Sequence, residues 1–233
     1  MDDDGLNPLR LTTDAFTEYD PAFAPNGTHI VYTTNKDGDY DIWRSNLDGS
    51  NPLNLTSGSV GFDATAKYSP DGENIAFTRP ELSGYSLYVM AADGSFGLPL
   101  ITGLDYIGSP TWSPDGSLIA YFANVNDNFD IYITGVVGTP QRITTDPARD
   151  AEPDWSPDGS TIAFYTRRHN TDPFDCSNCN EEIYLVDPNT LVETRLTNSA
   201  AEDESPSWES IPSIFGDLDC DGDVDLAALM LSL

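Results

Sequence analysis

The residues best suited to chemistry in this sequence lie near its C-terminal end. Asp217, Asp219, Asp221 and Asp225 occupy positions 1, 3, 5 and 9 of a loop that has Gly222 at position 6. Ca²⁺ is a hard cation that takes several oxygen ligands, and the glycine permits the sharp turn between them. Asp223, at position 7, would contribute its backbone carbonyl. Calcium is therefore the expected cofactor. Binding should be weak, because position 12, ordinarily an acidic ligand, is Ala228. A second candidate is the pair Cys176 and Cys179 in Asp175-Cys176-Ser177-Asn178-Cys179. A zinc site would need another such pair or paired histidines, and the histidines are His29 and His169. A redox pair would need a helix N-terminus to activate its first thiol, whereas this segment lies between strands. A local disulfide is the expectation, with free thiols the alternative and Cys220 left over.

The charge balance sets the partners. With 39 acidic residues against 10 basic ones the net charge is −29, which repels nucleic acid and anionic lipid. A divalent cation, a basic protein or peptide, or solubility alone suits such a surface. No apolar run approaches the roughly 18 residues of a membrane span, so membrane insertion is not expected. Met1-Asp2-Asp3-Asp4-Gly5 has no basic n-region or apolar h-region. An export signal, if one existed, has been cut away.

The elements that must position these groups are repeats. An aromatic residue followed by a turn recurs as Phe23-Ala24-Pro25-Asn26-Gly27, Tyr68-Ser69-Pro70-Asp71-Gly72, Trp112-Ser113-Pro114-Asp115-Gly116 and Trp155-Ser156-Pro157-Asp158-Gly159. Proline presets φ, Asp or Asn tolerates the third position, and glycine takes the left-handed conformation that reverses the chain. The strand after each turn (29–32, 74–77, 118–121, 161–164) is apolar on both faces and must be covered on both. A third strand follows (41–43, 86–88, 130–132, 182–184), then a short fourth (53–56, 98–102, 141–144, 194–197). Four strands per unit at this period is a propeller blade. The sequence thus predicts an all-β fold, a β-propeller of four complete four-stranded blades. Partial blade strands stand at both ends: Pro8-Leu9-Arg10-Leu11-Thr12 matches a fourth strand, and Ser205-Pro206-Ser207-Trp208 a first.

The pattern Pro-x-Trp-Ser-Pro-Asp-Gly, Ile-Ala-Phe, Ile-Tyr, Arg-Leu-Thr resembles the WD-like repeat of TolB-like propellers over residues 9–209, after a tail of residues 1–8. Residues 210–233, an EF-hand-like acidic tail, resemble one half-site of a dockerin, a calcium module of secreted bacterial proteins. The resemblance implies a periplasmic or extracellular protein. Similar propellers serve as protein-binding scaffolds, as gating domains of prolyl-oligopeptidase-type peptidases and as frames of oligogalacturonate lyases, so the fold does not fix the function.

Aligning the blades on their aromatics gives a candidate binding site. Five residues before them stand Glu18, Asp63, Ile107, Asp150 and Asp203; three before stand Asp20, Thr65, Ser109, Glu152 and Ser205. In a propeller these positions begin the innermost strands. Glu18, Asp20, Asp63, Asp150, Glu152 and Asp203 would thus line an acidic channel mouth for a cation or basic peptide. No catalytic residue is expected, since an α/β domain with a nucleophile elbow and a cluster of histidines are both missing from the sequence. The expectation is a non-catalytic binding propeller of an exported bacterial protein. Two rivals are an accessory domain of a larger secreted hydrolase or lyase, and a self-associating structural protein joined through its incomplete blades.

Overall fold

Each repeat folds into one four-stranded meander. In the computed structural model the described residues are 10–59, 61–169, 181–198 and 202–208, and they contain strands but no helix. Blade 1 is β1 (Glu18–Phe23), β2 (His29–Thr34), β3 (Asp41–Asn46) and β4 (Leu53–Asn54); blade 2 is β5 (Ala64–Tyr68), β6 (Asn74–Glu81), β7 (Gly84–Ala91) and β8 (Leu98–Leu104). Blade 3 is β9 (Tyr106–Trp112), β10 (Leu118–Val125), β11 (Asn128–Gly135) and β12 (Gln141–Arg142); blade 4 is β13 (Asp150–Trp155), β14 (Ile162–Thr166), β15 (Glu182–Val186) and β16 (Glu193–Arg195). Strand order within every sheet follows the chain. The sheets are the blades of a β-propeller, as the repeat predicts. The chain packs as two units, Met1–Pro110 and Thr111–Leu233, and the division falls within β9.

The turn motif works by side-chain hydrogen bonding. In blade 3 the Ser113 hydroxyl donates to Asp115 Oδ1 at 2.6 Å, the same carboxylate oxygen accepts the Ser117 N–H at 2.9 Å, and Ser113 Oγ accepts the Leu118 N–H at 2.9 Å. Ser69 with Asp71, and Ser156 with Asp158, repeat the arrangement. Each tight reversal therefore leaves few orphan donors, which is why an Asx-type residue and a serine are needed at those places.

Packing follows one rule inside both units. In the first, Tyr68 packs against a core of Val31, Ile42, Leu55, Ile75 and Phe77. In the second, Trp155 is buried with Ile131, Ile133 and Ile143 of the preceding blade and with Ile162 and Phe164 of its own. The turn aromatic of one blade thus fills the space over the sheet before it. Phe23, the first aromatic of the series, is 68% exposed. Trp208 ends the series and packs against the blade 4 core, its backbone N–H donating to Asp154 Oδ2 at 2.8 Å.

The end segments keep the habits of blade strands without forming ladders. Arg10 Nε donates to the Thr12 carbonyl at 2.5 Å, just as Arg195 Nε donates to the Thr197 carbonyl at 2.6 Å. A Cβ on Gly49 would lie 2.1 Å from the Leu11 carbonyl oxygen, and one on Gly94 would lie 2.9 Å from that of Leu55. Leu11 therefore occupies, beside blade 1, the place that Leu55 occupies beside blade 2. Among the described residues, Arg10–Thr12 and Ser205–Trp208 form no hydrogen-bonded strand.

The fourth strands differ from expectation in length, for a specific reason. Ile42, Ile131 and Ile183 each donate the backbone N–H not to another backbone carbonyl but to a threonine hydroxyl, that of Thr56, Thr144 and Thr197, at 2.9–3.0 Å. The threonine of the repeated Leu-Thr or Ile-Thr pair takes over the ladder, and β4, β12 and β16 stop at two or three residues. In blade 2 the pairing instead runs on to Leu104, and Thr102 is exposed.

Candidate functional site

The positions predicted to line an acidic mouth divide into two kinds. Asp63 and Asp150 are fully buried, and Asp203 is 8% exposed. Their environment follows from the strand that faces them. β5 begins beside Asp63, and the end of β6 sets Arg79 against it: Nε meets Oδ1 at 2.6 Å and Nη2 meets Oδ2 at 2.7 Å, a two-pronged pair. The guanidinium lies 4.6 Å from the Tyr88 ring centre and 5.4 Å from that of Phe77. Ser59 links the same carboxylate to Asp41, donating to Asp63 Oδ2 at 2.9 Å and reaching Asp41 Oδ1 at 3.4 Å. Asp41 also accepts from Asn54 at 2.8 Å and from Thr56 at 3.0 Å. Burial nonetheless pushes its carboxyl up, against those hydrogen bonds. Ser57, Ser59, Arg79 and Tyr88 line an open cavity of about 310 Å³ there.

In the second unit Arg168 performs the same task from a different register. Its Nη2 lies 3.1 and 3.2 Å from the two oxygens of Asp150, it also pairs with Glu193, and it lies 4.4 Å over the Tyr184 ring. Thr166 is the residue paired across from Asp150, so the arginine reaches back from beyond the end of β14. Desolvation dominates Asp150 and raises its carboxyl to about 6, partly countered by Thr166 and Arg168. Two further pairs sit at the third strands: Arg142 with Asp130 at 2.7 Å and Arg195 with Glu182 at 2.7 Å. The Arg of Arg-Ile-Thr or Arg-Leu-Thr thus neutralises an acid at or near the start of the third strand, while the Thr clasps that strand's N–H. Arg167 pairs with Glu181 at 2.5 Å.

Glu18, Asp20 and Glu152 are the carboxylates of the predicted set that reach solvent. Burial and neighbouring Asp14 hold the Glu18 carboxyl above its ordinary range, and Thr12 donates to it at 3.0 Å. Asp20 and Glu152 owe their direction to a backbone feature that the sequence reading missed. Asp20, Thr65, Ser109, Glu152 and Ser205, each three residues before its aromatic, all have left-handed backbones with φ of 51, 56, 46, 52 and 54°. In β1, β5 and β13 the register slips at this point, which defines a β-bulge and turns the side chain out of the ladder. Proline follows four of the five, at Pro21, Pro110, Pro153 and Pro206. It has no N–H to be orphaned where the ladder is broken, and that proline is the sequence signal for the bulge. Ser205 donates to Glu152 Oε2 at 2.5 Å.

The two histidines are engaged locally. His29 Nδ1 lies 2.6 Å from Thr28 Oγ1, and His169 Nε2 lies 2.8 Å from the Tyr184 hydroxyl. Among the described residues no cluster of three His, Cys, Asp or Glu is arranged to hold a metal. The calcium-loop residues Asp217, Asp219, Asp221, Asp223 and Asp225, and Cys176, Cys179 and Cys220, lie outside the described residues. No helix of the described residues is long and apolar enough to cross a membrane.

Sheets of this kind are the blades of a β-propeller, and the chain is similar to TolB proteins. The chain is 34% identical over 114 residues to the Tol-Pal system protein TolB of Anaeromyxobacter dehalogenans, a match covering 48% of this chain and 25% of that protein. Among solved structures it superposes on a protein described as TolB from Agrobacterium tumefaciens with a TM-score of 0.72 at 24% identity, covering 84% of this chain and 67% of the other. On TolB from Acinetobacter baumannii the TM-score is 0.70 at 22% identity, covering 88% and 49%. The match thus spans about a quarter of the curated relative. No protein-family model matches the sequence.

Proposed function

We propose that the chain is a non-catalytic, protein-binding propeller that acts outside the bacterial cytoplasm on a basic partner. One observation carries this reading: six of the 10 basic residues are paired with carboxylates of the same chain, namely Lys36, Arg79, Arg142, Arg167, Arg168 and Arg195. Four of these ion pairs involve Asp63, Asp130, Asp150 and Glu182, acids with almost no exposure. Many of the other acids, Asp20, Asp48, Asp93, Asp105 and Asp127 among them, are exposed, and such an excess attracts cationic partners over the range of a Debye length. Glu18, Asp20 and Glu152 are the carboxylates proposed to contact such a partner. The likeness to TolB supports the protein-binding class and the location. The test is titration of a fluorescent oligolysine peptide against the wild type and an Asp20→Asn, Glu152→Gln variant at two salt concentrations. Salt-sensitive binding weakened several-fold in the variant supports the reading; equal affinity of the two removes these carboxylates from it.

Calcium at Asp217, Asp219, Asp221, Asp223 and Asp225 stands as a proposal on residue types and spacing alone. Calorimetric titration of the full chain with CaCl₂ tests it. Loss of the binding heat in Asp219→Asn is the expected result.

A further inference from the structure

Three of the outer strands protect their sheets in a familiar way. β4, β12 and β16 span two, two and three residues, and the last two carry Arg142, Glu193 and Arg195. Short, charged edges discourage other chains from pairing with them. β8 does neither. It runs for seven residues, Leu98–Leu104, within the stretch Ser95 to Leu104 that contains no charged residue in a chain of net charge −29. It is the last strand of its sheet, so among the described residues no strand lies along its outer side. Phe96 is 88% and Leu98 66% exposed at one end. At the other end Leu82 is fully exposed, in a turn whose Gly84 abuts the Leu104 carbonyl.

The charges around the strip choose its occupant. Asp93 precedes it, Asp105 follows it, and Glu81 stands beside Leu82. Antiparallel pairing with a second copy would bring the Asp93 end of one strand against the Asp105 end of the other, and two chains of −29 would meet. An extended segment that is uncharged in its middle and basic at its ends has no such conflict. Its lysines or arginines reach the flanking carboxylates while its backbone adds to the ladder, the strand-addition mode of peptide recognition. Pro99 removes one donor from β8 and Gly103, with φ of 74°, bends its far end, so the complementary segment is a single short strand. We infer that the outer edge of β8 is a docking strand for such a segment of a partner protein. The inference rests on the protein-binding reading and adds to it a second contact region, apart from Glu18, Asp20 and Glu152.

The probe is a synthetic ten-residue peptide of alternating valine and threonine with two lysines at each end, followed by fluorescence anisotropy on the full chain. Saturable binding is expected, weakened at least tenfold by Phe96→Lys with Leu98→Lys, and unchanged by Val137→Lys, an exposed apolar position elsewhere. The same peptide N-methylated at alternate residues should lose binding to the wild type, a readout that does not depend on any variant folding. Binding retained by both the double variant and the methylated peptide, yet abolished by salt, overturns the edge and leaves an acidic binding surface. Absence of binding to this peptide and to oligolysine overturns both. Dimerisation of the unliganded wild type that the double variant abolishes also overturns it, assigning the edge to a second copy.

Discussion

Replacing Arg79 with methionine isolates the ion pair on which the first unit's interior depends. Asp63 is fully buried, and both of its oxygens are bonded to this guanidinium at 2.6 and 2.7 Å. Methionine keeps the apolar stem over Tyr88 but leaves a buried carboxylate that has lost both guanidinium bonds and keeps the one from the Ser59 hydroxyl. Removing one partner of a buried pair costs about 3–5 kcal/mol. The arginine side chain is 19% exposed, which favours the lower end, roughly 3 kcal/mol. For a chain of this size roughly 2–4 °C of melting temperature correspond to each kcal/mol, so a fall of about 6–12 °C is expected. Asp63→Asn in the same chain removes the stranded charge and should restore more than half of the loss. The assay is thermal unfolding by circular dichroism of the wild type, both single variants and the double. A single-variant fall of under about 3 °C, with the two effects simply additive, would refute the claim that the pair is buried and coupled.

Other consequences are as direct. Asp150 has a carboxyl raised to about 6 in the folded protein, so the folded state holds its proton more tightly than the unfolded chain does; stability from this group grows as pH falls from 7 toward 4.5 and is lost as pH rises through 6. The melting temperature of the wild type should therefore rise relative to Asp150→Asn across that window, and a constant difference would contradict the assignment. Gly94→Ala should destabilise more than Gly27→Ala, because the new Cβ meets the Leu55 carbonyl at 2.9 Å whereas Gly27 has nothing within 4 Å and incurs only the left-handed backbone cost of about 1–2 kcal/mol; urea midpoints compare them. Thr144→Val should cost about 1–3 kcal/mol by stranding the Ile131 N–H, and faster amide exchange at Ile131 is the accompanying readout.

The four blades were legible because the sequence states each strand twice, once in its apolar pattern and once in the turn that ends it. Ser-Pro-Asp-Gly fixes a hairpin with bonds between neighbours, and such local chemistry is visible without the fold. The candidate site was less legible because its parts come from different strands. Asp63 and Asp150 align as free acids at the start of a strand, but the arginines that neutralise them stand at different registers, Arg79 at the end of β6 and Arg168 beyond the end of β14. No fixed spacing marks the pair. The bulge at Asp20 and Glu152 was hidden for another reason: residues with side chains seldom hold a positive φ, and only the proline after them hints at it. The length of β8 escaped notice because Leu98-Pro99-Leu100-Ile101-Thr102 resembles the other fourth strands, while the missing threonine clasp becomes visible only in the pairing.

The function proposed above has a propeller that pairs much of its positive charge with its own carboxylates present acid to a basic protein partner. Hydrogen-exchange mass spectrometry of the full chain, with and without saturating lysine-flanked peptide, tests it most directly. The account predicts added protection at Leu98–Leu104, at the strand openings of Glu18, Asp20 and Glu152, or at both, reversed by salt. Unchanged exchange throughout the chain at saturating peptide would contradict it.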